Sequence, residues 1–140
     1  MNNEKRHFRT AQVAGLAGVT ARQLQVWEEQ NVVVASRWGR VRRYTTTQAL
    51  FVMVLAELRK RGVSFQRARG LTPQLRQLIS GSVGGHQLNR HAFILTDGRK
   101  VQFSDSPNKT CDLVSNFSRP IACVNLGNCL DRVNSTEVTR

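Results

Sequence analysis

Two short helical patterns joined by a glycine turn limit what this chain can fold into more than any other feature. Thr10 is suited to cap the first helix, whose apolar residues recur at helical spacing until Gly18 interrupts them. Thr20 then caps a second helix that ends near Asn31, a residue that tolerates left-handed backbone. Two helices joined in this way form a helix-turn-helix, whose second helix can enter the major groove of DNA.

A basic stretch, SRWGRVRRY at residues 36–44, follows the second helix. A run of arginines on its own is usually only a solvated surface. Here the β-branched run Val32 to Val34 precedes it and Val41 to Tyr44 can return from Gly39, so we predict a small hairpin. A basic hairpin directly behind a helix-turn-helix is typical of a winged fold, in which this hairpin, the wing, contacts the DNA backbone.

Three further helices are predicted before residue 81. Thr45 to Thr47 cap the first, LFVMVLAELRKRG, and Gly62 ends it. A short helix begins at Ser64, and the pair Thr72-Pro73 begins another, QLRQLIS, because proline fits the first helical position. Only about two helical turns then fit before the glycines of GSVGG, residues 81–85.

The remainder of the chain predicts a small ββαβ unit. Asp97-Gly98 is a strong hairpin signal within AFILTDGRKVQF. Its register is open: a two-residue loop aligns Ile94 with Val101, whereas one extra residue places four apolar side chains on one face, those of Phe93, Leu95, Val101 and Phe103. Ser106-Pro107 begins a short helix, and PIACVNLGNCL supplies a last buried strand.

We therefore expect an α+β chain, with a winged helix-turn-helix at residues 1–80, a linker at residues 81–88 and a ββαβ unit at residues 89–140. The charge is unevenly divided between these parts. Residues 1–80 hold 14 Lys or Arg against 4 acidic residues, and residues 81–140 hold 7 against 5. A one-sided positive field favours a polyanion as partner.

The apolar segments are too short for a membrane. The longest, Ala49 to Ala56, is far below the roughly 20 residues that span a bilayer. The first residues lack the pattern of a signal peptide, so we expect a cytoplasmic protein that binds no membrane.

The order VAGLAGVTARQLQVWEEQNVV, SRWGRVRRY and an apolar helix ending RKRGVSF resembles the DNA-binding domain of MerR-family transcription regulators, over residues 8–71. The resemblance implies that Thr20 and Arg22 contact the duplex, and that Trp27 stands where the family has a tyrosine near the backbone. Arg42 and Tyr44 match an arginine and a tyrosine of the family's wing. The departures are Gln25 in place of an arginine, and Arg40 and Asn31 in places of glycine.

The chemistry of the side chains supports this transfer. Arginine and glutamine early in the second helix can pair with base edges, each good pair contributing about 1 to 3 kcal/mol of discrimination. Wing arginines can neutralise phosphates, which gives an affinity that falls with salt. The expected DNA-binding residues are Thr20, Arg22, Gln23, Gln25, Trp27, Arg37, Arg40, Arg42, Arg43 and Tyr44.

Nothing in the sequence indicates an enzyme, a metal site or a cofactor. The three cysteines have no CxxC spacing and favour a reducing compartment. We expect Cys111 and Cys123 to be buried and Cys129 to be open to solvent.

The partners follow from the resemblance. Double-stranded DNA is the first. The long helix that forms the family's coiled-coil dimer is missing after Ser80, so a homodimer would have to form through the C-terminal unit. RNA polymerase or another partner protein is a further candidate. The alternatives are an antitoxin that regulates its own promoter, an excisionase-like architectural protein, and a thiol or metal sensor.

Overall fold

A computed structural model of the protein describes residues 7–85, 92–117 and 122–136, without the side chains of Trp38 and residues 82–85. Helices and strands are mixed along the chain, which confirms the α+β class. In chain order the elements are β1 (His7–Phe8), α1 (Thr10–Ala17), α2 (Ala21–Glu29), β2 (Ser36–Trp38), β3 (Val41–Thr45), α3 (Thr46–Lys60), α4 (Phe65–Gly85), β4 (Phe93–Thr96), β5 (Val101–Ser104), α5 (Pro107–Asn116), β6 (Ala122–Asn125) and α6 (Leu126–Asn134).

The helix-turn-helix is formed by α1 and α2. Arg9 occupies the N-cap position of α1, one residue before the predicted cap, and Gly18 ends the helix at a φ of 72°. The second cap is as predicted: the Thr20 hydroxyl accepts a hydrogen bond from the Gln23 amide, and the Gln23 side-chain oxygen accepts one from the Thr20 amide. Asn31 has a φ of 60°, as its place in the sequence predicts.

The wing is the hairpin of β2 and β3, and a short third strand extends it. The sheet order is β1-β3-β2, with Arg37 opposite Arg42 and Phe8 opposite Tyr44. Gly39 makes the turn at a φ of 68°. Because β1 pairs with β3, the residues just before α1 lie beside the wing.

Helix α4 corrects two expectations. It is one helix of 21 residues that contains Pro73, not two short helices that meet there. The buried residues Leu71, Leu75 and Ile79 recur at four-residue spacing across the proline, so a single core-facing stripe keeps both parts in line. The helix also continues to Gly85, so residues 81–85 are helical where a linker is expected, and residues 86–88 lie outside the described part of the chain.

The C-terminal sheet has the order β5-β4-β6, with all neighbours antiparallel. Thr96 pairs with Val101 and Ile94 with Phe103, so the loop holds four residues and both predicted registers are wrong. The Thr96 hydroxyl accepts from the Gly98 amide and donates to the Lys100 carbonyl, which favours the wider loop. Helix α6, which we did not predict, follows β6 and makes the unit ββαβα.

The two parts of the chain share a core. Helix α3 contacts both α6 and β6, and one hydrophobic cluster includes Leu50 and Leu55 of α3 together with Leu126 and Val133 of α6. An Arg132 guanidinium nitrogen also donates to the Leu16 carbonyl, at 2.6 Å. The domain limits at residues 1–80 and 89–140 remain a prediction, but the surfaces on either side pack directly on each other.

Candidate nucleic-acid interface

One face of α2 is polar and open to solvent. Arg22, Gln23 and Gln25 are exposed, whereas Leu24 and Trp27 point into the core. Within the described residues Arg22 makes no ion pair or hydrogen bond through its side chain, so its donors are available to a ligand. Gln25 donates to Glu29 at 3.3 Å, a weak contact that a better acceptor can replace.

Two of the expected contact residues also build the helix. The hydroxyl of Thr20 and the side-chain oxygen of Gln23 are committed to the cap. The amide nitrogen of Gln23 is therefore its remaining hydrogen-bond donor. The cap orients Gln23 at the exposed start of α2.

A carboxylate, Glu28, joins α2 to the wing. Its Oε1 lies 3.1 Å from Arg42 Nε and 4.0 Å from an Arg37 guanidinium nitrogen. Its Oε2 accepts a hydrogen bond of 3.4 Å from the Tyr44 hydroxyl. Because the Glu28 side chain is only 15% exposed, solvent weakens these contacts less than it would at an open surface.

Tyr44 and Trp27 offer little surface to a ligand because both are buried. Tyr44 is 0% exposed and Trp27 8%, and Trp27 lines a surface cavity beside Gln23, so direct contact of either with DNA stays a prediction. Burial, and next the negative charge of Glu28, raise the pKa of Tyr44 to about 12. Tyr44 therefore stays protonated at neutral pH, and its hydroxyl donates a hydrogen bond to Glu28. Both aromatic residues support the interface from beneath.

The remaining wing arginines line a groove at the surface. The groove encloses about 640 Å³ and is lined by Arg9, Thr10, Arg37, Arg40, Val41, Arg42 and Arg43. One guanidinium nitrogen of Arg43 is buried and has no hydrogen-bond partner. Five arginines around one groove favour an anion with several oxygens, such as a phosphate backbone. We call this the arginine groove.

Three residues of this surface do not follow from the sequence: Arg9, Thr10 and Glu28. Arg9 and Thr10 come to the wing through the pairing of β1 with β3, which two residues of strand do not predict. Glu28 lies next to the last residue of α2, and nothing in the sequence around it predicts its contacts with Arg37 and Arg42 of the wing.

Two of the three cysteines differ from our expectation in the opposite sense. Cys111 is exposed and Cys129 is buried on α6, whereas Cys123, expected to be buried, is partly buried. Burial raises the pKa of Cys129 to about 11, which makes it a poor nucleophile and metal ligand. Within residues 7–85, 92–117 and 122–136, no three His, Cys, Asp or Glu side chains come together as metal ligands.

The family comparison agrees with this geometry. Residues 8–75 match the family described as MerR HTH family regulatory protein. These 68 of the chain's 140 residues, which we call the MerR segment, are similar to MerR regulators. The match covers α1, α2, the wing, α3 and the first part of α4. No curated protein matches the chain.

The description of this family names a helix-turn-helix and a regulatory role, which suggests DNA-binding transcription regulation. The elements that carry the exposed face of α2 and the arginine groove lie inside the MerR segment. Across the described parts of the chain, no helix is both long enough and apolar enough to cross a membrane.

Proposed function

We propose that the protein is a sequence-specific DNA-binding regulator that inserts α2 into the major groove and places the wing on the phosphate backbone. The observation that carries this proposal is the arginine groove, which five arginines line and which Glu28 links to α2 through Arg42. Affinity and specificity then come from different surfaces. This separation makes the proposal testable residue by residue.

The exposed residues of α2 supply the specificity. Arg22 has the geometry to pair bidentately with guanine, and Gln25 has an amide suited to adenine. Thr20 and Gln23 lie at the start of the helix, where groove-reading helices contact the bases. These four residues are our proposed base-reading and helix-start contacts.

The arginine groove supplies the affinity. Arg37 and Arg40 are exposed, and Arg42 and Arg43 are partly buried along the same ribbon. Each phosphate that they neutralise releases counterions, so binding weakens as salt rises. We add Arg9 and Thr10 to this contact set, because they line the same groove.

Glu28 gives the wing a defined position relative to α2. A carboxylate near DNA repels phosphate, so its presence needs a compensating role. We propose that it orients Arg42 in the way that charged hydrogen bonds fix a side chain, and that Tyr44 holds Glu28 from beneath.

Selection of bound duplexes from a random DNA pool, followed by a salt titration, tests the function. We expect one enriched motif and a logarithm of the binding constant that falls linearly with the logarithm of salt concentration. No enrichment together with an affinity independent of salt would remove the proposal.

We further propose that the protein acts as a homodimer through its C-terminal unit. Helix α5 has no buried residue, and Val114 on it is 43% exposed. A two-fold symmetric enriched motif and a dimer in analytical ultracentrifugation are the expected results. A monomer that selects a single half-site would oppose this arrangement and leave RNA polymerase or another protein as the partner of α5.

A further inference from the structure

We infer that the loop between β4 and β5 is a second clamp on the DNA backbone, formed by Arg99 and Lys100 of the loop with Arg67 and Arg69 of α4. It would bind phosphates that flank the site read by α2. This inference rests on the proposed DNA binding. It assigns part of that binding to the C-terminal unit, which lies outside the MerR segment.

The start of α4 lies beside the recognition helix. Phe65 of α4 lines a surface cavity of about 380 Å³ together with Gln23 and Val26 of α2. One turn further on, an Arg69 guanidinium nitrogen is 3.5 Å from the Gln30 side-chain oxygen, at the end of α2. A basic side chain of α4 is thus next to the helix that we place in the groove.

The β4–β5 loop packs against α4. Arg67 packs against Gly98 so closely that a Cβ atom at Gly98 would lie 3.1 Å from an Arg67 guanidinium nitrogen. Gln74, about two helical turns after Arg67 on α4, accepts from the Val101 amide at 3.1 Å and donates to the Arg99 carbonyl at 3.4 Å. These contacts fix the loop to α4.

The loop is also ordered from within. The Asp97 carboxylate accepts hydrogen bonds from the amides of Arg99 and Lys100, at 2.8 and 3.1 Å. These two backbone bonds lower the pKa of Asp97, so it is ionised at neutral pH. It faces the backbone of the loop, and the basic side chains that follow it remain exposed.

The four cations are available for an anion. All four are exposed, and among the described residues none of them forms a salt bridge. The neighbouring basic residues differ in this respect, because Lys60 and Arg61 at the end of α3 both pair with Glu57. With Asp97 subtracted, the clamp still presents an excess of positive charge. A duplex bound to α2 offers phosphates at regular intervals to exposed cations on the elements next to that helix.

The test compares the parent protein with the variant Arg99→Ala/Lys100→Ala on the selected duplex. Each lost phosphate contact lowers the salt slope by about 0.9, so the double variant should lose about 2 from the slope. Its hydroxyl-radical footprint should be shorter at one end, while its base preference stays unchanged. Lys109→Ala is the matched control, since Lys109 is an exposed cation on α5 of the same unit.

A second variant distinguishes the position of the loop from the charge of its side chains. Gln74→Ala keeps all four cations but removes the two bonds that hold the loop, so it should shorten the footprint in the same place. Thermal unfolding of each variant shows whether the fold persists.

The clamp is ruled out if the double variant keeps the parent's salt slope and footprint. It is also ruled out if Lys109→Ala, which removes one cation, lowers the slope by half as much as the double variant, which removes two. The proposed function would survive both results. It would fail instead if the parent itself did not bind, and the clamp would fail with it.

Discussion

The Oε1 atom of Glu28 lies 3.1 Å from Nε of Arg42, so a carboxylate of the recognition helix holds an arginine of the wing. The two elements that we expect to touch different parts of the DNA are thereby linked by one ion pair. The strength of the link depends on the partial burial of both side chains.

Glu28→Gln should increase affinity for DNA of any sequence and reduce the preference for the selected site. The change removes a negative charge near the phosphates and releases Arg37 and Arg42 from their fixed positions. Competition binding with specific and random duplexes measures both effects. An unaltered ratio of specific to random affinity would show that the ion pair does not set the wing's position.

Glu28→Gln should also lower the pKa of Tyr44 from about 12, without returning it to the ordinary value of 10.0, because burial remains. Tyr44 is the single tyrosine of the chain, so the ionisation of tyrosine followed by ultraviolet absorbance reports on it alone. A pKa that does not change would mean that the carboxylate has little influence on the hydroxyl.

Arg22→Ala and Arg40→Ala should have different signatures. Loss of Arg22 should cost about 1 to 3 kcal/mol and relax the preference at one base pair. Loss of Arg40, at the tip of the wing, should weaken binding to all sequences alike and reduce the salt slope by about 1. Binding measured on a panel of single base-pair substitutions distinguishes them, and equal losses of preference would contradict the division of roles.

Arg42 can be tested with the same binding panel and salt titration as Arg40, and its contact with Glu28 adds a further expectation. Arg42→Ala should weaken binding to all sequences, and it also leaves Glu28 without its closest cation. Its affinity should therefore fall further than that of Arg40→Ala. Combining Arg42→Ala with Glu28→Gln should recover part of the difference, and no recovery would argue against coupling between the two side chains.

Cys129 should make the fold less stable at alkaline pH. An unfolded thiol loses its proton as the pH rises past about 9, whereas the folded one, with its pKa of about 11, keeps it. The folded state then holds the extra proton, so the contribution is full below pH 9 and is lost as the pH approaches 11. Over this interval it is on the order of 2 to 3 kcal/mol.

Cys129→Ala tests this effect through denaturant unfolding at about pH 8 and about pH 10, and Tyr44, which begins to contribute near its ordinary pKa of 10.0, is present in both proteins and affects them alike. The variant should be less stable than the parent at the lower pH, because it loses buried volume, but should lose less stability between the two values. Equal losses in both proteins would exclude the thiol as the cause.

Leu126→Ala should destabilise the whole chain by about 2 to 5 kcal/mol. Leu126 is fully buried in a cluster shared with α3, so the winged part and the C-terminal unit should unfold together. Tryptophan fluorescence follows the winged part, since both tryptophans lie there, and circular dichroism follows the whole. Two separated transitions would instead support independent domains at residues 1–80 and 89–140.

The local signals in the sequence predicted the elements that depend on caps. Thr20, Thr45 and Ser106 each accept a hydrogen bond from the backbone amide three residues later, as their residue types suggest. Pro73 misled the prediction because proline fits a helix start as well as a helix kink, and only the buried stripe along α4 distinguishes the two cases. Helix α6 had its own signal, apolar residues at helical spacing that we interpreted as the end of a strand: Leu126, Cys129, Leu130 and Val133.

Some residues of the candidate site can be predicted from local sequence, and others depend on the tertiary fold. The exposed residues of α2 and the arginines of the wing follow from spacing and charge alone. The contacts of Glu28, Arg9 and Arg67 depend on which elements become neighbours in three dimensions. The burial of Tyr44, the exposure of Cys111 and the burial of Cys129 also depend on the tertiary fold, since the exposure of a residue is set by the elements that pack over it.

The packing of α6 and β6 on α3 has a consequence for how the chain can be divided. A cut engineered within residues 86–91 would leave two fragments with matching apolar faces, and the bond from Arg132 to the Leu16 carbonyl joins the same two pieces. Such fragments should reassociate without a peptide bond between them. The same gene can therefore be split, or its two segments joined in reverse order, with β6 and α6 still packed on α3.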